Sequence, residues 1–288
     1  MRILHLETGR HLYGGGLQVL HLVGGLAARG CECRLLVPDD SAVADGGEAR
    51  GLPVVRIRYR GEGDVAAILR IVSVLRDYRP DLIHLHSRRG ADTWGLLSAV
   101  AAGVPAVITR RVDNVEPGWL ARAKAAGTRH VIAISHAIER VLLSAGVPAE
   151  KVSVVPSAVE VERWIVTPDR AGLEAEFDIP SGTPAVAMVA QFIERKGHSS
   201  LIRALEILQS TGGTVPVTVL FGQGPLRLQV EEEAQRRHVA QWVRFAGFRD
   251  DLPRWLSSFD LLAHPAHLEG LGVAALQAGA AGIPVVGS

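Results

Sequence analysis

The chain is short of cysteine, of net charge, of acidic metal motifs and of long apolar runs, and each shortage removes a class of protein. Its two cysteines, Cys31 and Cys33, stand too close together to staple a fold. Two thiolates alone also make a poor zinc site, so a reduced, cytosolic chain is expected. With 31 basic and 30 acidic residues the formal net charge is +1, which leaves no global electrostatic case for nucleic acid or for a strongly acidic partner. No Asp-x-Asp occurs, and the 11 histidines form no ligand-like spacing, so no metal is expected. The longest uncharged stretches, Thr93–Thr109 and Leu271–Ser288, are broken by Gly103 and Pro105 and by Gly282 and Pro284, so neither reads as a membrane span. The N-terminal "MRILHLETGR" enters a strand pattern directly, with no signal-peptide core.

What is present is a long, apolar chain. Its 288 residues are 48% hydrophobic, enough for two domains with substantial cores. Short apolar runs alternate with amphipathic segments: "RILHLE", "LQVLHLVGGLAARG", "CRLLVP", "VAAILRIVSVLRDYRP", "DLIHLH", "ADTWGLLSAVAAG" and "PAVITR", then "HVIAIS" and "VSVVPS". This alternation predicts crossover units on a buried parallel sheet, with Gly30, Gly103 and Gly146 at helix C-terminal caps. A proline-rich, charged stretch at 166–183 reads as a linker between domains at 1–165 and 184–288. The second series holds five strand patterns, "AVAMVAQ", "VPVTVLFG", "VRFAGF", "DLLAHPA" and "IPVVGS", with four helix patterns between them. The expected fold class is α/β, two facing doubly wound Rossmann-like domains with ligand at the C-terminal strand edges, the second domain incomplete.

Several residues carry chemistry at those edges. Arg195 and Lys196, the latter one of three lysines beside 28 arginines, follow the first strand of the second half. Paired cations there suit a diphosphate leaving group; a solvated helix start is the plainer alternative. "EGLG" turns into a helix, so the amides of Leu271, Gly272 and Val273 are free donors for an anion, with Glu269 just before them and Gln277 slightly over two turns later. "GQGP", with Gly222 and Gly224, follows a strand but is weak as a motif by itself. "GGG", with Gly15 and Gly16, precedes the first helix and lacks the Gly-x-Gly-x-x-Gly spacing and the acidic partner of a dinucleotide site. In "DLIHLH", His84 reads as a core histidine, while His86 lies nearer the open edge.

In order and spacing, "QFIERKGH", "FGQGPLR", "FAGFRDDL" and "HPAHLEGLGVAALQAGAAGIPVV" resemble the donor-binding half of glycosyltransferase family 4, retaining enzymes of the GT-B fold. "GGGLQVL", "DLIHLH" and "AISHAIERVLLSAGVPAEKVSVVPSAVEVERW" fit the same family, so the resemblance covers nearly the whole chain. It implies a retaining, metal-independent transferase that moves a sugar from a nucleotide diphosphate sugar to a hydroxyl of a glycan or glycolipid, with the donor as substrate and no cofactor. It places His86 beside the transferred sugar, the GQGP turn against the donor, and the nucleobase near Phe248 and Arg249, held mostly by backbone groups. Glu269 becomes the first acid of a Glu-x7-Glu motif that contacts the sugar. Gln277 stands where the family has the second acid, which receives the ribose; a carboxamide still accepts a hydroxyl there but without charge. Family members continue past "IPVVGS", so truncation is expected. The acceptor is expected on the first domain, where "TRRVDN" with Arg110 and Arg111, and Arg122, Lys124 and Arg129, form a basic cluster suited to a phosphate-bearing lipid or glycan, with peripheral contact to an anionic membrane at its cytoplasmic face. The alternatives are a sugar-nucleotide epimerase of the same architecture and a non-catalytic nucleotide-sugar-binding protein.

Overall fold

The computed structural model describes residues 1–86, 90–112 and 115–288. The chain forms two compact units, Met1–Ser157 and Ala158–Ser288.

The first unit runs β1 (Arg2–Leu6), α1 (Gly14–Ala28), β2 (Glu32–Pro38), α2 (Ala42–Glu48), β3 (Val54–Ile57), α3 (Ala67–Tyr78), β4 (Leu82–Leu85), α4 (Leu96–Ala102), β5 (Ala106–Arg110), α5 (Gly118–Gly127), β6 (His130–Ala133), α6 (His136–Ser144) and β7 (Val152–Val154). A single π-helical turn, Ala91–Gly95, leads into α4. The strands form one parallel sheet in the order β3-β2-β1-β4-β5-β6-β7. The order reverses between β1 and β4, where loops leave in opposite directions and open a crevice at the C-terminal strand ends. Period-2 alternation assigns the faces. Leu4, Leu6, Ile83 and Leu85 pack with Ile71 and Leu75 of α3 and Leu96 of α4, whereas Ile3, Leu35 and Val37 pack with Val19, Leu20 and Val23 of α1 and Val43 of α2. The expected caps are there: Gly30, Gly103 and Gly146 have φ of 83°, 68° and 83°, the left-handed conformation that ends a helix.

β3 and α2 are not anticipated by the apolar pattern. "PVVRIRYR" interleaves arginines, which a buried parallel strand does not tolerate; β3 is an edge strand, so Arg56 reaches out to Asp45 and Glu48 of α2 at 2.6 and 2.7 Å.

The second unit runs α7 (Arg170–Glu176), β8 (Ala185–Val189), α8 (His198–Ser210), β9 (Val217–Phe221), α9 (Arg227–Arg236), β10 (Val243–Gly247), α10 (Leu252–Leu256), β11 (Leu261–His264), α11 (Val273–Ala280) and β12 (Val285–Gly287). Its five-stranded parallel sheet has the order β10-β9-β8-β11-β12, so its switch point lies between β8 and β11. Val186, Met188 and Leu220 pack with Ile202 and Leu205 of α8 and Val230 of α9; Ala187, Val219, Phe221 and Leu262 pack with Trp255 of α10 and Ala278 of α11. The stretch read as a linker carries α7, started by an Asp169 side chain that accepts from the Gly172 N–H at 2.8 Å. Leu173, Phe177 and Ile179 from that stretch, with Trp164 before it, are buried in the second unit's core. Phe177 meets Phe221 and Trp255 edge-on, an arrangement that favours aromatic packing.

Candidate functional site

At the switch point of the second unit, two loops that follow neighbouring strands are locked together. After β8 the chain makes one 3-10 turn, Glu194–Lys196, and ends it at Gly197 with φ 74°. A Cβ at Gly197 would lie 1.7 Å from the carbonyl oxygen of Pro265, just past β11. Only glycine permits both the backbone angle and that approach. The His267 N–H then donates to the Arg195 carbonyl at 2.9 Å. The result brings Lys196 against Glu269: the ammonium donates to Glu269 Oε2, and both side chains are mostly buried. Glu269 Oε1 accepts from the Gly270 N–H at 3.1 Å, and Nε2 of His264, the last residue of β11, lies 3.6 Å from Oε2. Burial pushes the Glu269 carboxyl up, but His264 and Lys196 outweigh it and hold the carboxyl down to about 2. Glu269 is therefore an anion at any physiological pH. His264 was not singled out from sequence; its place at the end of a strand, five residues before Glu269, was the available signal.

The turn that follows Glu269 leaves backbone donors unpaired. Gly272, φ 73°, caps α11 with no side-chain hydrogen bond. Among the described residues the N–H groups of Leu271, Gly272 and Val273 find no acceptor, as the "EGLG" pattern leads one to expect. Gln277 lies one turn into α11, half-buried, and its side chain makes no hydrogen bond among the described residues.

Packing alone requires the glycines of "GQGP". Cβ atoms at Gly222 and Gly224 would come within 2.0 Å of the Ala190 oxygen and 2.6 Å of the Phe192 oxygen. The Gly222 N–H donates to the Gly247 oxygen at 2.7 Å and the Leu226 N–H to the Phe192 oxygen at 3.0 Å. What approaches this turn is the loop after β8, and the glycines are needed for that whether or not a ligand also binds. Phe248 is half-exposed, while the Arg249 guanidinium is held by Asp251 at 2.6 Å and Glu176 at 2.7 Å. The Arg249 side chain thus anchors α7 to the loop after β10.

In the first unit, Gly15 faces open space, but a Cβ at Gly16 would press on Val43 Cγ2 at 2.9 Å, so Gly16 lets α1 lie close to α2. His86 is not at an open edge: it is 2% exposed, beneath the rings of His84 and His5 at centroid distances of 4.0 and 5.3 Å. Strand register makes the cluster. His5 on β1 stands opposite His84 on β4, and His86 follows on the same face. His5 Nδ1 and His86 Nε2 share a hydrogen bond at 3.0 Å, and His84 Nε2 meets the Thr109 hydroxyl at 2.6 Å. Burial lowers His5 to about 4. Burial, then His5 and Arg111, lower His84 to about 3. Burial, then the two other imidazoles and Arg111, lower His86 well below its usual value. All three are neutral imidazoles with one nitrogen each within 4.8 Å of the others, near enough to share a metal ion. Sequence spacing hides such a set because its members come from two strands. The Arg111 cation that disfavours imidazolium here also opposes a dication.

Two cations of the basic cluster on the first unit are spent internally. Arg110 pairs with Glu116 at 3.0 Å, and Lys124 with Glu116 at 2.8 Å and Asp92 at 2.7 Å, all nearly buried. Arg122 and Arg129 remain exposed. The last two residues of "TRRVDN" lie outside the described residues.

Each parallel-sheet unit matches a family model: Glycosyltransferase Family 4 over residues 13–163 and Glycosyl transferases group 1 over residues 169–288. The chain belongs to this glycosyltransferase family. This glycosyltransferase is 27% identical, over 314 aligned positions, to the 2-deoxystreptamine N-acetyl-D-glucosaminyltransferase of Streptomyces fradiae, an alignment spanning 95% of this chain and 74% of that one. It is 22% identical to an Escherichia coli UDP-Gal:alpha-D-GlcNAc-diphosphoundecaprenol alpha-1,3-galactosyltransferase over 77% of this chain and 61% of the other. Its fold superposes on Anabaena HepE, solved with UDP and glucose, at a TM-score of 0.86 and 21% identity, over 100% of this chain and 80% of that one. The fold is GT-B.

Proposed function

We propose that this glycosyltransferase moves a hexose, with retention and without a metal ion at the diphosphate, from a nucleoside diphosphate sugar to a hydroxyl of a glycan or lipid-linked acceptor. The observation that carries the proposal is the meeting of Lys196, Glu269 and the unpaired amides of Leu271, Gly272 and Val273 at one switch point. Cation and amides suit the diphosphate, whose negative charge grows as the sugar departs. Glu269, ionised and facing the same place, accepts sugar hydroxyls and favours positive charge developing on the ring. His86, Gly15 and the acceptor belong to the first unit, and Gln277 takes a ribose hydroxyl. The names of the relatives support the substrate class: one acts on an aminocyclitol, one transfers galactose from UDP to a diphosphoundecaprenol-linked sugar, and HepE was solved with UDP-glucose. No helix among the described residues is long and apolar enough to cross a membrane; exposed Trp119 and Arg122 on one face of α5 suit peripheral contact at the cytoplasmic leaflet.

Incubation with UDP- and GDP-sugars and chromatography of the released nucleoside diphosphate tests the reading. Lys196→Ala is expected to lower turnover about a hundredfold while leaving nucleoside binding nearly intact. Unchanged turnover in that variant removes Lys196 from the site, and no turnover of any sugar nucleotide by the wild-type chain removes the proposal.

A further inference from the structure

Lys196 and Glu269 are the two charged side chains on which the donor reading rests, and in the structure each is the other's partner. The pair is partly shielded, with side-chain exposures of 14% and 25%. A diphosphate that takes the Lys196 ammonium must therefore draw it away from Glu269. The Glu269 carboxylate then keeps the Gly270 N–H, with His264 Nε2 3.6 Å away, but has lost the ammonium that was paired with it. A half-buried carboxylate deprived of its charged partner is costly, and it also repels the incoming phosphates.

A sugar attached to the diphosphate changes this balance. Its hydroxyls are donors, and they arrive beside the same carboxylate. A bare nucleoside diphosphate ends there in a phosphate that brings only acceptors and leaves Glu269 uncompensated. We propose that the Lys196–Glu269 ion pair makes the site selective for sugar-bearing nucleoside diphosphates over bare ones: Glu269 competes for Lys196 unless a sugar hydroxyl takes its place. This selectivity rests on the donor reading above. It has a use in turnover, because once the sugar has been transferred Glu269 loses its hydroxyl partners, recaptures Lys196 and promotes release of the spent nucleoside diphosphate.

The test is calorimetry of wild-type and Glu269→Gln chains with UDP and GDP, and with UDP-glucose and GDP-mannose. Glutamine keeps the shape and removes the charge. Bare diphosphate should bind the variant about tenfold more tightly, the scale of one lost charged hydrogen bond, and the preference for the sugar-bearing form should shrink. In a Lys196→Met background the Glu269→Gln gain should shrink, because competition for Lys196 is gone and only the direct repulsion of the phosphates by Glu269 remains to be relieved. Equal or weaker binding of bare diphosphate by Glu269→Gln overturns the coupling and leaves the donor reading standing. If neither UDP nor GDP, with or without sugar, binds the wild-type chain at millimolar concentration, donor reading and coupling fall together. Should Glu269→Gln not fold, Glu269→Ala, which also removes the charge, must likewise bind bare diphosphate more tightly than the wild type.

Discussion

Glu116 divides its carboxylate between Arg110 and Lys124, one oxygen to each, at 3.0 and 2.8 Å. Both contacts are almost completely shielded from water. They tie the end of β5 to α5 and, through the Lys124–Asp92 contact at 2.7 Å, to the π-helical turn after β4. Removing one charge from a buried network leaves the others less well compensated, and breaking a buried pair costs about 3–5 kcal/mol. Glu116→Gln should therefore lower the stability of the first unit by about 3 kcal/mol in urea unfolding. A loss under about 1 kcal/mol would mean that the network behaves like a surface salt bridge.

The three buried imidazoles set the acid limit of the same unit. Each binds a proton in the unfolded chain near pH 6.5 but resists it in the folded chain, down to about 4 for His5 and about 3 for His84. Below pH 6.5 the unfolded state thus holds more protons, and stability falls with pH from 6.5 towards 4. The slope per histidine is about 1.4 kcal/mol per pH unit. Glu269, depressed to about 2, contributes in the same direction but only below about 4.5. The window from 6.5 to 4.5 therefore isolates histidines, among them His198 of the second unit, which burial and then Lys196 lower to about 4. His5→Gln should flatten the stability profile in that window, as read by chemical unfolding at several pH values. The same slope in both chains would show that His5 is already protonated when folded.

Gly197 is the pivot of the loops after β8 and β11. Alanine there is strained at φ 74° and would drive its Cβ into the Pro265 oxygen. Gly197→Ala should lose about 2 kcal/mol or more and also part Lys196 from Glu269. Binding of UDP, measured beside the thermal midpoint, should change along with stability. A variant that melts like the wild type would mean that the two loops slide freely past each other.

The proposed ribose contact of Gln277 can be tested by substitution. Gln277→Glu should tighten nucleoside diphosphate binding by up to about tenfold, since a carboxylate accepts ribose hydroxyls more strongly than an amide does. Calorimetry checks this directly, and weaker binding would mean that Gln277 points away from the ribose.

The alternation of apolar runs and amphipathic segments was enough to predict the parallel sheets, and the placing of "ERKG" and "HLEGLG" after strands was enough to put Lys196, Glu269 and the α11 amides at strand ends. These are local properties: a period of 2 or 3.6 residues and a turn signature report on their own neighbourhood and need no partner. What the tertiary structure decided depends on partners distant in sequence. The pairing of β1 with β4 gathers His5, His84 and His86, and nothing in the spacing of "ILHLE" and "LIHLH" shows that their registers align. The position of β3 at a sheet edge lets Arg56 belong to a strand. The meeting of Arg110 and Lys124 with Glu116 and Asp92 takes two cations of an apparently basic cluster into a neutral buried network. The Gly222 and Gly224 contacts lie with a neighbouring loop, which a motif cannot show. Charge and glycine pattern say which groups are available; the fold decides which of them face each other, because an ion pair or a backbone contact is made across space between segments whose separation only the packed sheet sets.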